Sequence, residues 1–207
     1  MASEVAQDVF ESLIKGRRSI RRYEPKPVPQ STVEALLEAG SWAPSAHNRQ
    51  PWRFAVLTEP AARETLANRM GDLLRSARLA DGDDPADVDA DASRSFARIT
   101  GAPLVIVAFL SMEDMDSYPD AARQSAERLM AVQGVAMAVN NILLAAHAAG
   151  LGACWMCAPL FCSEAVVEAV GAPARWQAQA LLTIGYPASK GKAAVRRPLS
   201  DVVLGAP

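Results

Sequence analysis

The chain has 207 residues, which is long enough for a sizeable core, and we expect residues 1–207 to form a single domain. Half of the residues are hydrophobic and 21% are charged, as in ordinary globular proteins. The formal net charge of −2 excludes a general attraction to nucleic acid or to an anionic membrane. The first residues contain no basic region followed by an apolar run, so we expect a cytoplasmic protein without a signal peptide.

The first third of the chain is predicted to be mainly helical. One helix ends near Gly16, a proline-rich extended segment covers residues 25–29, and a second helix is capped by Gln30 or Ser31. A short strand over 53–57 precedes a third helix that starts at Pro60. The apolar residues at helical spacing in these helices are Val5, Val9, Leu13 and Ile14, then Val33, Leu36 and Leu37, then Leu66, Met70, Leu73 and Leu74.

Residues 81–91 contain six aspartates together with Gly82 and Pro85. A segment with so little apolar surface cannot contribute much to a core, so we expect a mobile acidic loop or lid.

The second half of the chain alternates apolar runs with polar loops. The run over 104–110 is fully apolar and rich in β-branched residues, which indicates a core strand, and residues 112–120 are expected to form a polar loop. A long helix over 123–149 should be central, because its second half is apolar nearly all round. Strands over 153–157 and 180–184 flank a helix over 163–170, and an extension from about 195 to 207 is expected to reach across a partner. The predicted fold class is α+β, with four or five strands and about six helices.

Two polar segments near the start are the candidates for a functional site. The first, residues 17–23, reads Arg-Arg-Ser-Ile-Arg-Arg-Tyr, and its residues Arg17, Arg18 and Ser19 follow a helix and a glycine. Arginine binds phosphate oxygens in a bidentate manner, and Arg196 or Arg197 could complete the other side of such a site. The alternatives are a solvated basic face and a nucleic-acid patch.

The second segment, residues 44–50, reads Pro-Ser-Ala-His-Asn-Arg-Gln and is followed by Pro51 and Trp52. Ser45, Asn48 and Gln50 offer donors and acceptors suited to the polar edge of a flat ring. An ordinary turn would also contain Pro, Ser and Asn, because these residues favour turn backbones.

No other catalytic pattern is present. The sequence contains no glycine-rich dinucleotide or P-loop motif, no nucleophile elbow and only two histidines, so we expect neither a catalytic side chain nor a metal site, and chemistry would require a cofactor. Cys154, Cys157 and Cys162 lie within nine positions and are interpreted as small apolar residues; a zinc site and a reactive thiol are weaker alternatives.

At these motifs the chain resembles the FMN-dependent nitroreductase family. The resemblance rests on residues 17–23, on residues 43–52, on Gly150-Leu151-Gly152-Ala153-Cys154-Trp155, and on Gly185-Tyr186-Pro187 followed by Arg197-Pro198-Leu199. It implies a three-layer α/β/α sandwich with a central mixed, mainly antiparallel sheet. It further implies a domain-exchanging homodimer that holds FMN at each interface site, transfers hydride through flavin N5 and takes electrons from NAD(P)H.

The resemblance also assigns site residues. Arg17, Arg18, Ser19, Arg196 and Arg197 would bind the phosphate and ribityl end, and Arg21 the pyrimidine side. Pro44, Ser45, Asn48 and Gln50 would come from the other subunit or the adjoining loop, and Met156 and Cys157 would present backbone near N5. Classical members have Glu-Gly where this chain has Cys157-Ala158, so the classical substrate range does not carry over.

A closer likeness, carried by Asp114-Met115-Asp116-Ser117-Tyr118-Pro119-Asp120 and Cys154-Trp155, is to the C-terminal reductase domain of the F-420 deazaflavin biosynthesis protein. It implies reduction of a dehydro precursor of the deazaflavin, with Arg78, Ser117 and Tyr118 near the substrate and reduced deazaflavin as an alternative donor to NAD(P)H. Broad nitro or quinone reduction and a non-catalytic flavin-binding protein are the alternatives. Residues 117–120 could also be a plain turn.

Overall fold

The computed structural model describes the backbone of residues 2–205 and the side chains of residues 4–205. Within that part of the chain, six α-helices accompany one four-stranded sheet. The helices are α1 Ala2–Gly16, α2 Gln30–Ser41, α3 Pro60–Ala80, α4 Pro85–Thr100, α5 Ala121–Ala148 and α6 Ser163–Ala169. The strands are β1 Trp52–Leu57, β2 Leu104–Leu110, β3 Gly152–Met156 and β4 Gln177–Gly185.

The sheet has the order β1-β2-β4-β3, and all three strand pairs are antiparallel. Leu104 lies opposite Ile184, and Gly152 lies opposite Gly185. Every residue of β2 is buried, because helices cover both faces of the sheet; this explains why the β2 sequence is continuously apolar instead of alternating. Ser19 adds a parallel bridge to Ala153 at the β3 edge. The antiparallel character that was expected is therefore confirmed, whereas the expected mixed pairing is limited to this isolated bridge.

Two hydrophobic clusters lie on opposite faces of the sheet and produce three layers. One cluster joins α2 and α5 to the sheet, and the other joins α3, α4 and α6 to it. Representative residues of the first are Leu36, Ile106, Val139 and Ile142, and of the second Leu66, Ile99, Phe109 and Val166. Because alternate residues of β2 point to opposite clusters, this strand is the centre of the core.

Helix α5 is central, as expected, and runs against α2 and all four strands. By length and composition it could cross a membrane, a property that core helices of globular proteins share. Its buried residues, such as Ala138, Val139 and Ile142, pack in the first cluster, which is the behaviour of a core helix.

The acidic lid expected at residues 81–91 is wrong, since residues 85–91 form the first half of α4. Asp84 caps this helix by accepting hydrogen bonds from the backbone N–H groups of Ala86 (2.8 Å) and Asp87 (3.3 Å), and Pro85 occupies the first turn. Val88, Ala92 and Ile99 are buried. The aspartates remain on the outer surface, where Asp89 pairs with α3; the apolar stripe, not the acid content, decides the conformation.

Three smaller expectations also need correction. Neither Gln30 nor Ser31 caps α2, because the residue before the helix is Pro29 and no side chain caps it. Strand β3 is shifted by one residue toward the N-terminus relative to the expected 153–157. Strand β4 is longer than expected at both ends, because its pairing with β2 and β3 extends it past its apolar centre.

Candidate functional site

The segment of residues 17–23, called here the arginine segment, is fixed to the β3 edge of the sheet. The backbone N–H of Ile20 donates to the carbonyl of Ala153 at 3.0 Å. The hydroxyl of Tyr23 lies 2.5 Å from the carbonyl oxygen of Ile20 and 2.8 Å from that of Thr183. Burial raises the pKa of Tyr23, so this hydroxyl stays protonated and able to donate. The arginine segment is thus held by the sheet at its middle, through Ile20, and at its end, through Tyr23.

Two glycines allow other parts of the chain to approach the arginine segment closely. A Cβ atom at Gly152 would lie 2.7 Å from Cβ of Ile20, and one at Gly191 would lie 2.9 Å from Cβ of Arg18. Gly191 also has φ of +62°, a conformation that side chains disfavour. The segment around residue 191 therefore packs directly against Arg18.

These contacts enclose a cavity of about 950 Å³, called here the basic cavity. Nine of its fourteen lining residues are basic and none is acidic. The structure brings together five of the predicted residues, Arg17, Arg18, Ser19, Arg21 and Arg196, but Arg197 does not line the cavity. The full lining is Arg17, Arg18, Ser19, Arg21, Arg22, Arg94, Ala97, Arg98, Ser189, Lys190, Gly191, Lys192, Ala194 and Arg196.

Sequence reasoning assigned no site role to five cations of this cavity: Arg22, Arg94, Arg98, Lys190 and Lys192. Arg94 and Arg98 are four residues apart on α4 and therefore share one face of the helix. The signal in the sequence was the apolar spacing of Val88, Ala92 and Ile99, which identifies α4 and hence the face that carries the two arginines.

The β3 strand supplies the part of the sheet beside this cavity. Burial raises the pKa of the Cys154 thiol, and the nearby guanidinium groups of Arg21 and Arg98 partly oppose that effect. Met156 and Cys157, at the end of β3, do not line the cavity; Met156 is half-buried and Cys157 is exposed. Among the described residues no group of three or more His, Cys, Asp or Glu side chains could hold a metal ion.

The amide turn, residues 44–50, has a strained backbone. His47, Asn48 and Gln50 have φ of +50°, +53° and +50°, in the left-handed region. The turn is supported by Ser45, whose Oγ accepts a hydrogen bond from the backbone N–H of Gln50 at 3.0 Å. Pro44, Ser45, Asn48 and Gln50 do not line the basic cavity. Within one chain, the amide turn and the arginine segment form two separate sites.

The loop over 111–120 adjoins the amide turn. Arg49 pairs with Asp116 at 2.5 Å, and Arg53 pairs with Asp114 at 2.9 Å. The backbone N–H of Asp116 donates to Oε1 of Glu127 at 3.2 Å, and Glu127 is buried. This loop is therefore attached both to the amide turn and to α5.

Of the three residues predicted near the substrate, Ser117 and Tyr118 lie together, whereas Arg78 lies apart from them. Ser117 is exposed and Tyr118 is half-buried, with the Arg123 guanidinium 5.2 Å from the Tyr118 ring centroid. Both belong to the loop beside the amide turn. Arg78 instead pairs with Asp83 at 2.5 Å and with Asp91, and does not line the basic cavity.

Comparison with known proteins identifies the family. The pattern of the Nitroreductase family matches residues 14–186, most of the chain. The chain belongs to the nitroreductase family. This nitroreductase-family chain is 31% identical to an NADH dehydrogenase of Thermus thermophilus over 91% of each chain. It is also 29% identical to a 5,6-dimethylbenzimidazole synthase of Rhodospirillum rubrum, over 87% of this chain and 83% of the relative.

Solved structures agree with this membership. A nitroreductase from Desulfovibrio desulfuricans, in complex with FMN, superposes with a TM-score of 0.72 at 31% identity and covers 95% of each chain. A BluB-like flavoprotein from Clostridium difficile has a TM-score of 0.78 at 22% identity, covering 96% of this chain and 99% of the other, and shows the shared fold. The nitroreductase-like α/β/α fold expected from the motifs is confirmed.

Proposed function

We propose that this nitroreductase-family protein is an FMN-dependent oxidoreductase that takes electrons from NAD(P)H. The observation that carries the proposal is the basic cavity on the arginine segment, where nine cations and no acidic residue face an open space of about 950 Å³. A phosphate monoester needs such donors, and Gly152 and Gly191 allow their parts of the chain to pack closely against Ile20 and Arg18 of the arginine segment. The FMN bound to the Desulfovibrio relative supports this choice of cofactor.

In this proposal each predicted residue has a binding or electrostatic role. Arg17, Arg18, Ser19 and Arg196, with Arg197, bind the phosphate, and Arg21 places a positive charge beside the ring system as it gains electrons. Pro44, Ser45, Asn48 and Gln50 bind the polar ring edge, and the backbone of Met156 and Cys157 lies near N5. When bound, FMN supplies the hydride chemistry, so no side chain needs to act as acid or base.

The proposal includes a homodimer, because the amide turn and the basic cavity are separate within one chain. Apolar side chains are exposed on α1 and in the extension after residue 194. Trp42 is 80% exposed as well. Exposed apolar surface of this extent marks an interaction site. These side chains are Val5, Val9, Phe10 and Ile14 on α1, and Val195, Leu199, Val202, Val203 and Leu204 in the extension. A second copy would cover them and bring its own amide turn to the cavity.

The proposed acceptor is the dehydro precursor of the F-420 deazaflavin, bound near Ser117 and Tyr118, with reduced deazaflavin as an alternative donor to NAD(P)H. The attachment of the 111–120 loop to the amide turn through Arg49 and Asp116 supports this placement, because it connects the expected substrate loop with the expected ring-binding turn. Two other activities are considered beside named relatives: NAD(P)H-dependent reduction of a general acceptor such as a quinone or nitroaromatic, beside the relative named NADH dehydrogenase, and formation of 5,6-dimethylbenzimidazole, beside the relative named for that synthesis.

One experiment tests the function and separates these acceptors. The purified protein should show flavin absorbance, and it should oxidise NADH or NADPH with turnover when an acceptor is supplied. Rates with the dehydro-deazaflavin, menadione and nitrofurazone rank the acceptors, and release of 5,6-dimethylbenzimidazole would identify the synthase. Bound FMN without any turnover would identify a non-catalytic flavin-binding protein. We place the protein in the cytoplasm, where reduced nicotinamides are available; fractionation tests this.

A further inference from the structure

The basic cavity holds more positive charge than the flavin requires. Nine arginines and lysines line it. A phosphate monoester carries about −2 charges, which two or three arginines neutralise. Several of these cations therefore have no negatively charged group of FMN to pair with. Their unneutralised charge attracts a further negatively charged ligand.

The surplus is not neutralised by the protein itself. Arg94 pairs with Asp91, but that carboxylate is shared with Arg78. Arg98 makes no ion pair with any carboxylate in the described part of the chain, although its helix carries several aspartates. The α4 side of the cavity therefore keeps at least one full positive charge at Arg98 and a partly compensated one at Arg94.

Arg94 and Arg98 belong to a different part of the cavity wall from Arg18. Gly191 contacts Arg18 of the arginine segment, whereas Arg94 and Arg98 are carried by α4. A phosphate bound by the arginine segment thus leaves the two arginines of α4 available for another group.

The arginines also stand on a rigid support. Buried Val88, Ala92 and Ile99 fix α4 against the core. Side chains presented four residues apart from a fixed helix can both contact one anion.

We propose that Arg94 and Arg98 form a second anion subsite that binds a doubly charged group of the co-substrate. The group is a phosphate or a pair of carboxylates. The inference rests on the proposed function, since the co-substrate is the molecule that exchanges electrons with the bound flavin. Two sources have this chemistry: the 2′-phosphate of NADPH, which NADH lacks, and an acidic electron acceptor.

The test uses flavin-loaded protein and the double variant Arg94→Gln/Arg98→Gln. The matched control Arg69→Gln/Arg128→Gln removes the same charge from residues outside the cavity, which contact Glu168 and Gln177. Calorimetry gives the dissociation constants of NADP⁺ and NAD⁺. Steady-state kinetics give KM for NADPH and NADH, and for the dianion 4-nitrophthalate against neutral nitrobenzene.

The proposal predicts that the double variant raises the dissociation constant or KM of one dianionic probe about tenfold or more, because charge-assisted hydrogen bonds are lost. For the less charged counterpart of that probe, the same constant should rise about twofold or less. A change confined to NADPH and NADP⁺ assigns the subsite to the donor, and one confined to 4-nitrophthalate assigns it to the acceptor. Equal effects in the control, or none in the variant, overturn the proposal. So does a weakened FMN complex with unchanged co-substrate binding, because the arginines would then belong to the flavin phosphate.

Failure of the proposed function gives a different result. If the purified protein binds no FMN, the function is wrong, and the subsite is tested on the flavin-free protein with pyrophosphate. A rise in Tm with pyrophosphate that the double variant lacks and the control keeps would retain the anion subsite. Equal rises in all three proteins would reject it.

Discussion

Gly152 packs so closely against Ile20 that any side chain at residue 152 would collide with Ile20. A Cβ atom at residue 152 would lie 2.7, 2.8 and 2.9 Å from three side-chain carbons of Ile20. Since Ile20 is buried and its neighbours are the arginines of the cavity, the position of β3 and the position of the arginine segment are coupled. The absence of a side chain at residue 152 is thus a condition for the site.

Gly152→Ala should therefore disrupt the arginine segment. Overpacking of this kind destabilises a protein by about 1–3 kcal/mol, and the displaced segment should bind FMN more weakly. Gly71→Ala is the control, because its new Cβ would meet only the flexible end of Arg75 at 3.4 Å and alanine favours helix. Urea unfolding and FMN titration of both variants provide the measurement. A Gly152→Ala protein as stable and as flavin-avid as the control would refute the coupling.

The Asn48 side chain can be tested separately from its backbone. Asn48 has φ of +53°, so Asn48→Gly keeps a conformation that glycine adopts freely and removes only the amide. We expect the free energy of unfolding of Asn48→Gly to change by no more than about 1 kcal/mol. Its FMN dissociation constant should rise about three- to tenfold, the effect expected from the loss of one hydrogen bond. Asn48→Val should lose both stability and binding, because a β-branched residue disfavours this conformation. Unchanged FMN affinity in Asn48→Gly would remove the amide from the site.

The layers and most elements could be predicted because apolar periodicity reports burial directly. Residues 104–110 and the long α5 are examples. The arginine segment was also predictable, because its four arginines can hardly be placed in a core. Helix α4 was not, since its aspartates dominate its composition while only Val88, Ala92 and Ile99 determine its burial. Arg94 and Arg98 were missed with it. Within one chain the amide turn and the cavity are separate, and local sequence patterns do not describe how the proposed second copy would bring them together.

The cap of α4 provides a test of that corrected helix. The Asp84 carboxylate accepts two backbone hydrogen bonds at the start of the helix, and Asp84→Ala leaves these N–H groups without a partner. We expect a loss of about 0.5–2 kcal/mol of stability, whereas Asp84→Asn or Asp84→Ser should retain most of it. Thermal unfolding measured by circular dichroism compares the three variants. Equal Tm values for Asp84→Ala and wild type would mean that this turn is not helical in solution.

The cysteines should differ in reactivity. Burial raises the pKa of the Cys154 and Cys162 thiols, so less of each is thiolate at a given pH than in an unfolded chain, where the pKa is about 8.5. Exposed Cys157 should react first with iodoacetamide at pH 8, and Cys154 last, with the Cys154 rate rising only at higher pH. Peptide mass spectrometry over time follows each site, and unfolding in guanidinium should equalise the rates. Fast native labelling of Cys154 at pH 8 would contradict its burial.

The most direct test of the central claim is an FMN titration of the wild-type protein and of Arg17→Ala, with Arg69→Ala as the control. A charge-assisted bond to the flavin phosphate is worth about 1.5–3 kcal/mol, so Arg17→Ala should raise the FMN dissociation constant about 10- to 150-fold while Arg69→Ala leaves it unchanged. No FMN binding by the wild-type protein, or the same dissociation constant in all three, would contradict the account.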